Sequence, residues 1–180
     1  PSYRKLPHLL EVLEKWHLVH KVGAKTKHPE SSGGVASKRY IFDTGLVNFL
    51  INQSQPVEWR ERSDAGNIAY PKLQETFVCN EIIAAEAEPL STMAYYKESR
   101  NSNEIDFIFS ASGKIFPLEV KSGSSVGLNS LRPMIHFLEH ENLNTGFLVY
   151  NGEMKRIIHQ GKTIYAIPPY FVSELARMTA

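Results

Sequence analysis

The chemistry-bearing residues of this chain cluster in two neighbouring stretches, Glu104-Ile105-Asp106-Phe107-Ile108-Phe109 and Phe116-Pro117-Leu118-Glu119-Val120-Lys121. Strand side chains alternate between faces, so Ile105, Phe107 and Phe109 are expected on one face and Asp106 on the other. By the same rule Glu119 and Lys121 share a face opposite Phe116, Leu118 and Val120. Pairing the two strands can then gather Asp106, Glu119 and Lys121 on one side of a sheet. Close carboxylates repel unless a cation lies between them. Oxygen-only ligands favour a hard ion such as Mg²⁺ or Mn²⁺, with Asp106 and Glu119 as its ligands. Such an ion polarises a phosphate and activates a water. Lys121 would orient that water or offset charge in the transition state. This is the chemistry of phosphodiester hydrolysis. A solvent-facing strand carrying Asp, Glu and Lys would look the same.

The elements that must position these groups are legible in outline. Residues 103–110 and 114–121 read as an antiparallel hairpin turning at Ala111-Ser112-Gly113, with another strand at 93–98. A long helix precedes them at about 67–88 and ends before Pro89. After the hairpin come a helix at 128–141 and an apolar strand at 146–150. This strand–helix–strand unit implies a parallel pair. Short strands at 154–159 and 162–167 and a terminal helix from about 169 complete the chain.

The front of the chain differs in character. Leu6, Leu9, Leu10 and Leu13 recur at helical spacing over 5–17, with Pro7 in the first turn. A strand at 18–25, a loop at 26–37 and a returning strand at 38–42 follow. Helix plus ribbon is the shape of the last part of a winged helix. Asp43-Thr44-Gly45 caps a short helix through Ile51, and the polar stretch to 66 reads as a linker. The expected division is a partial winged-helix-like segment at 1–42, a linker at 43–66 and a catalytic body at 67–180.

Charge follows that division. Residues 1–40 hold eight of the 20 Lys and Arg and three of the 19 Asp and Glu, a local charge of +5 that leaves −4 for the rest. A basic end on a mildly acidic body suits nucleic acid, with Lys21, Lys25, Lys27, Lys38 and Arg39 as candidate contacts. Arg100, just before the hairpin, could reach a phosphate. His8, His17, His20 and His28 lack metal spacing and read as solvated. Cys79 reads as a small packing residue. Tyr95 and Tyr96 read as strand packing, one of them facing outward.

Composition sets the outer limits. The 180 residues, 42% hydrophobic and 22% charged, suit a globular protein of about one domain. One Cys excludes an internal disulfide framework. No apolar run approaches the roughly 18 residues of a membrane span, and no signal peptide is visible. The chain begins with Pro1, so the natural start is expected upstream and the compartment is taken as cytoplasmic.

Asp106 followed by a strand, a turn and Glu119-Val120-Lys121 resembles the signature of the PD-(D/E)xK phosphodiesterase superfamily, which includes restriction-endonuclease-like enzymes and Holliday-junction resolvases. That resemblance implies an α/β restriction-endonuclease-like core of helix, mixed sheet with antiparallel hairpin, crossover helix and strand. A longer resemblance runs through residues 39–46 (RYIFDTGL), 75–82 (ETFVCNEI), 104–107 (EIDF) and 117–123 (PLEVKSG). It is to the uncharacterised domain that follows the ATPase module in a group of prokaryotic AAA-type ATPases. It implies an ATP-binding module upstream as a partner and supplies no established activity; DNA as substrate is what the nuclease-like signature implies, and a homo-oligomer stays open. Many nucleases of the superfamily draw a further acidic residue from the helix before the hairpin. Glu75 and Glu81 are the candidates here. Leu73, Phe77 and Glu81 fall on one helical stripe, which places Glu81 toward the core and Glu75 near the edge. Glu75 fits the offset from the helix start and ranks first.

Overall fold

The computed structural model describes residues 5–26, 36–52, 69–85, 93–98, 103–111 and 114–179. Helix α1 (Leu6–Lys15) carries Pro7 in its first turn, where a missing N–H costs little. Strands β1 (Val19–Thr26) and β2 (Lys38–Ile41) form an antiparallel ribbon in the register Val19↔Ile41. Helix α2 (Thr44–Asn52) starts where the Asp43 carboxylate accepts a hydrogen bond from the Leu46 N–H at 2.9 Å. Helix α3 is Ala69–Ala85. Strands β3 (Ala94–Lys97), β4 (Glu104–Ala111) and β5 (Lys114–Val120) follow. Helix α4 (Leu128–His140), strand β6 (Thr145–Val149), strands β7 (Lys155–His159) and β8 (Lys162–Ile167), a 3₁₀ turn (Pro169–Phe171) and helix α5 (Val172–Thr179) complete the described chain.

All eight strands form one mixed sheet in the order β2-β1-β3-β4-β5-β6-β8-β7. The β5–α4–β6 crossover makes the expected parallel pair, Leu118↔Phe147 through Val120↔Val149. The front ribbon is not set apart from this sheet. Strand β1 runs parallel to β3, Gly23↔Ala94 through Thr26↔Lys97, so the segment expected to be winged-helix-like extends the sheet of the body. Asn80 on α3 ties the two further, its side-chain amide donating to the carbonyls of Ile41 at 3.2 Å and Phe42 at 2.5 Å. The turn expected at residues 112–113 and the linker beyond residue 52 lie outside the described residues.

Both faces of the sheet are covered, so there are two cores. On one face Val78, Cys79 and Ile82 of α3 and Val172 of α5 meet Val22, Phe107, Phe109, Leu118 and Val149. On the other, Leu131, Met134, Phe137 and Leu138 of α4 meet Tyr96, Ile105, Ile108, Leu148 and Ile164. Burying each such large side chain contributes about 1.5–3 kcal/mol. Two coverings also explain why Tyr95 and Tyr96 are both buried, where one was expected to face outward. Tyr95 Oη donates to the Ala36 carbonyl at 2.5 Å.

One departure bears on chemistry. The β3–β4 ladder slips, with Tyr96 opposite Ile105 but Ala94 opposite Ile108. Asp106 and Phe107 therefore face a single residue, Tyr95, which is a β-bulge. The bulge sends Ile105 into the α4-side core while Phe107 and Phe109 enter the α3-side core. The strict alternation expected for Ile105, Phe107 and Phe109 fails at the residue beside Asp106.

Candidate active site

The hairpin register builds the centre of the site. Phe107 lies opposite Leu118 and Ile108 opposite Pro117, so one step further brings Asp106 level with Glu119. The Val120 N–H donates to Asp106 Oδ2 at 3.0 Å, which locks the carboxyl across the strand pair. Lys121 Nζ lies 2.5 Å from Glu119 Oε1. Helix α3 delivers Glu75, which accepts from Lys72 Nζ at 2.7 Å and exchanges a hydrogen bond with the Asp106 carboxyl. The structure thus brings Asp106, Glu119, Lys121 and Glu75 together. Glu75 and Glu119 are each only 5% exposed.

Three carboxyl groups in so dry a place cannot all ionise freely. Burial, then the charges of Glu119 and Glu75, pushes Asp106 well above its ordinary range. Burial works to raise Glu75 too, but Lys38, Lys72 and the hydrogen bond from Asp106 outweigh it and hold it low. Of this pair, Asp106 is pushed up and Glu75 is held down. Burial raises Glu119 against the pull of the Lys121 ammonium. For Lys121, burial favours loss of the proton, and the Glu119 charge more than reverses that. Glu119 Oε2 is buried without a hydrogen-bond partner. An orphaned carboxylate oxygen is costly and marks a place for a cation or donor.

Lys38 is the residue whose place the sequence did not reveal. Read as a nucleic-acid contact, it turns inward from β2 instead. Its Nζ lies 3.1 Å from Glu75 Oε1, 2.6 Å from Glu104 Oε1 and 3.1 Å from Asp106 Oδ1. Burial favours the neutral amine, yet the Asp106, Glu75 and Glu104 charges overcome it and hold the group protonated above its ordinary range. The ammonium also sits 5.0 Å over the Tyr95 ring. Two residues on, the Tyr40 hydroxyl is buried without a hydrogen-bond partner, and burial and the Glu75 charge raise its pKa. The alternation Lys38, Tyr40 was a signal that both point the same way, but nothing local says toward what.

The other expected contacts fall as follows. Lys25 pairs with Glu141 at 2.8 Å and Arg39 with Glu14 at 2.8 Å, while Lys21 is exposed. Lys27 and Arg100 lie outside the described residues. Glu81 is half-buried, six residues and about 240° around α3 from Glu75. The expected stripe is corrected here. α2, α5, β2 and β5 all contact α3, so its buried arc is wide and Glu75 lies inside it. His20 is buried rather than solvated, its ring edge-on to Phe42 at 5.9 Å. Cys79 is a buried packing residue, as expected.

Sequence reasoning also passed over Asn151. Its side-chain amide donates to the Ser122 carbonyl at 2.7 Å and to Tyr70 Oη at 2.9 Å. Its backbone N–H donates to the Gly123 carbonyl at 3.0 Å. Gln74 adds a bond to the Lys121 carbonyl at 3.3 Å. Together they hold the strand end that carries Glu119 and Lys121 against α3.

Among the described residues no three His, Cys, Asp or Glu side chains are spaced to hold a metal ion as they stand. The cations among these carboxylates are the ammonium groups of Lys38, Lys72 and Lys121.

A family model described as a domain of unknown function (DUF4143) matches residues 71–170, more than half of the 180. The chain belongs to this family. DUF4143 is a C-terminal domain of AAA-type ATPases in prokaryotes. The matched stretch carries Glu75, Asp106, Glu119 and Lys121; Lys38 and Tyr40 lie before it. No curated protein matches the chain. Among the described residues of this DUF4143 chain no helix is long and apolar enough to cross a membrane.

Proposed function

We propose that this chain is a divalent-metal-dependent DNA nuclease domain of an AAA-type ATPase, built on a restriction-endonuclease-like core. The observation that supports this most is the meeting of Asp106, Glu119 and Lys121 on paired strands, beside Glu75, with Glu119 Oε2 buried and unpartnered. The donor set is all oxygen, which fits Mg²⁺ or Mn²⁺. Asp106 and Glu119 would hold the ion, assisted by Glu75. When bound, it would polarise a phosphate oxygen and lower the pKa of a water. Lys121, tethered by Glu119, would offset charge growing on the phosphoryl oxygens or orient the attacking water. Asn151 and Gln74 would keep the strand end in place while this happens.

A catalytically silent module, binding nucleic acid or protein for the ATPase, is favoured by one observation. Lys38 already neutralises Glu75 and Asp106. Cleavage separates the two readings. Single-stranded, double-stranded and branched DNA are incubated with the protein and Mn²⁺. The nuclease reading expects cutting of at least one, reduced about 10²-fold or more in Lys121→Ala. Absence of cutting, or equal cutting by Lys121→Ala, overturns it. Salt-dependent DNA binding that survives Asp106→Asn but drops when Lys25 and Lys27 are neutralised identifies the silent module.

A further inference from the structure

We infer that Lys38 is the built-in competitor for the cation position of this site, so that a divalent ion enters only as the Lys38 ammonium withdraws. This rests on the metal-holding reading above. Lys38 is bonded to Glu75 Oε1 and Asp106 Oδ1, oxygens that metal binding requires. Its third carboxylate, Glu104, is anchored separately by Lys97 at 2.9 Å. An ammonium has three N–H donors, and here three carboxylates meet it, so the group is fully engaged. Neither Glu75 nor Asp106 is near Lys38 in sequence, the pairs spanning 37 and 68 residues, so the contact is a product of the fold. The cluster also holds Glu119, 5% exposed, whose Oε1 pairs with Lys121 while Oε2 is buried without a hydrogen-bond partner. One monovalent ammonium leaves that oxygen unsatisfied, whereas a divalent ion would serve it.

The carrier of Lys38 suits a removable cation. Strand β2 is an edge strand of the sheet and, among the described residues, pairs with β1 alone. Lys38 is its first residue. The carboxylates themselves stand on α3 and β4, with neighbours on both sides in the body of the fold. The long, flexible Lys stem can swing out without breaking a central ladder. Its side chain is 18% exposed, so water already reaches it. The front ribbon thereby sets whether the site holds its own lysine or an external ion.

Mn²⁺ affinity, read from the free-ion signal in electron paramagnetic resonance, tests this in wild type, Lys38→Met and Lys38→Arg. Lys38→Met is expected to bind about 10- to 100-fold tighter than wild type, the range set by removing charge-assisted hydrogen bonds from the competitor. Lys38→Arg, which keeps the charge, stays near wild type. Equal or weaker binding by Lys38→Met, or none, overturns the inference. Because Lys38→Met leaves carboxylates unpaired and can fail to fold, a second measurement uses wild type alone. Acylation of Lys38 by an amine-reactive ester, read by mass spectrometry, should speed up about tenfold at saturating Mn²⁺. An unchanged rate overturns it. A protein that shows these Mn²⁺ responses but cuts no DNA keeps the competitor and loses the nuclease. One that cuts DNA without them loses only the competitor.

Discussion

Replacing Asp106 by Asn should stabilise the metal-free protein. The side chain keeps its shape, so Asn Oδ1 still accepts from the Val120 N–H now bonded at 3.0 Å. Its amide nitrogen then stands where Asp106 Oδ1 now lies, 3.1 Å from the Lys38 ammonium, so that ammonium shifts toward Glu75 and Glu104. What disappears is a third acidic group beside Glu75 and Glu119. Exchanging a buried acid whose ionisation is opposed by burial and like charges for a neutral amide of equal volume gains about 1–4 kcal/mol. Lys38 loses one of its three charged partners, which takes back about 1 kcal/mol. The net expectation is about 0–3 kcal/mol in favour of Asn, or about 2–4 °C in Tm for each kcal/mol. The pH dependence fixes the sign. The folded pKa of Asp106 lies well above its ordinary 3.8, so its contribution is present below that pH and is lost as pH rises. Near neutrality Asp106 is thus a liability, and the gap to Asn should narrow toward about pH 4. Urea unfolding in the presence of a chelator measures it. A loss of about 1 kcal/mol or more for Asp106→Asn at neutral pH would refute the reasoning, because the ion pair with Lys38 would then outweigh burial and repulsion.

Three other substitutions probe separate parts of the account. Glu75→Gln should slow Mn²⁺-dependent cleavage at least about tenfold while Glu81→Gln leaves it within about twofold, since only Glu75 faces Asp106; equal effects would return Glu81 to the site. Asn151→Ala should cost about 2–3 kcal/mol in urea unfolding, because the Ser122 carbonyl and Tyr70 hydroxyl lose a buried donor, and a cost near zero would show that water replaces it. His20 is held neutral, its pKa lowered by burial and then by His17, so stability is expected to fall as pH drops below 6.5, and His20→Leu should flatten that slope. An unchanged slope would assign the acid sensitivity elsewhere.

The elements were legible because their signals are local. Pro7 and the leucine spacing marked α1, Asp43 marked the cap of α2, and the β5–α4–β6 crossover followed from an amphipathic helix between apolar runs. The hairpin centre was legible for the same reason, since Asp106 and Glu119-Val120-Lys121 lie on adjacent strands. What escaped reading depends on long-range contact. Lys38 looks like any strand lysine until β1 docks beside β3 and carries β2 to the carboxylates. Glu75 looked peripheral because α3 was read as having one buried stripe, whereas helices and strands pack against it on several sides. The bulge at Asp106 and Phe107 leaves no mark in an otherwise alternating strand. Asn151 acts through Ser122 and Tyr70, 29 and 81 residues away.

The central claim is that the Asp106–Glu119 pair, beside Glu75, is a seat for a divalent ion. Anomalous diffraction from crystals of this protein soaked in Mn²⁺ tests it most directly. The account predicts a Mn²⁺ peak in contact with Asp106 and Glu119, with the Lys38 ammonium withdrawn from Asp106. A map with no peak there, and Lys38 still seated among Glu75, Glu104 and Asp106 at saturating Mn²⁺, would contradict it.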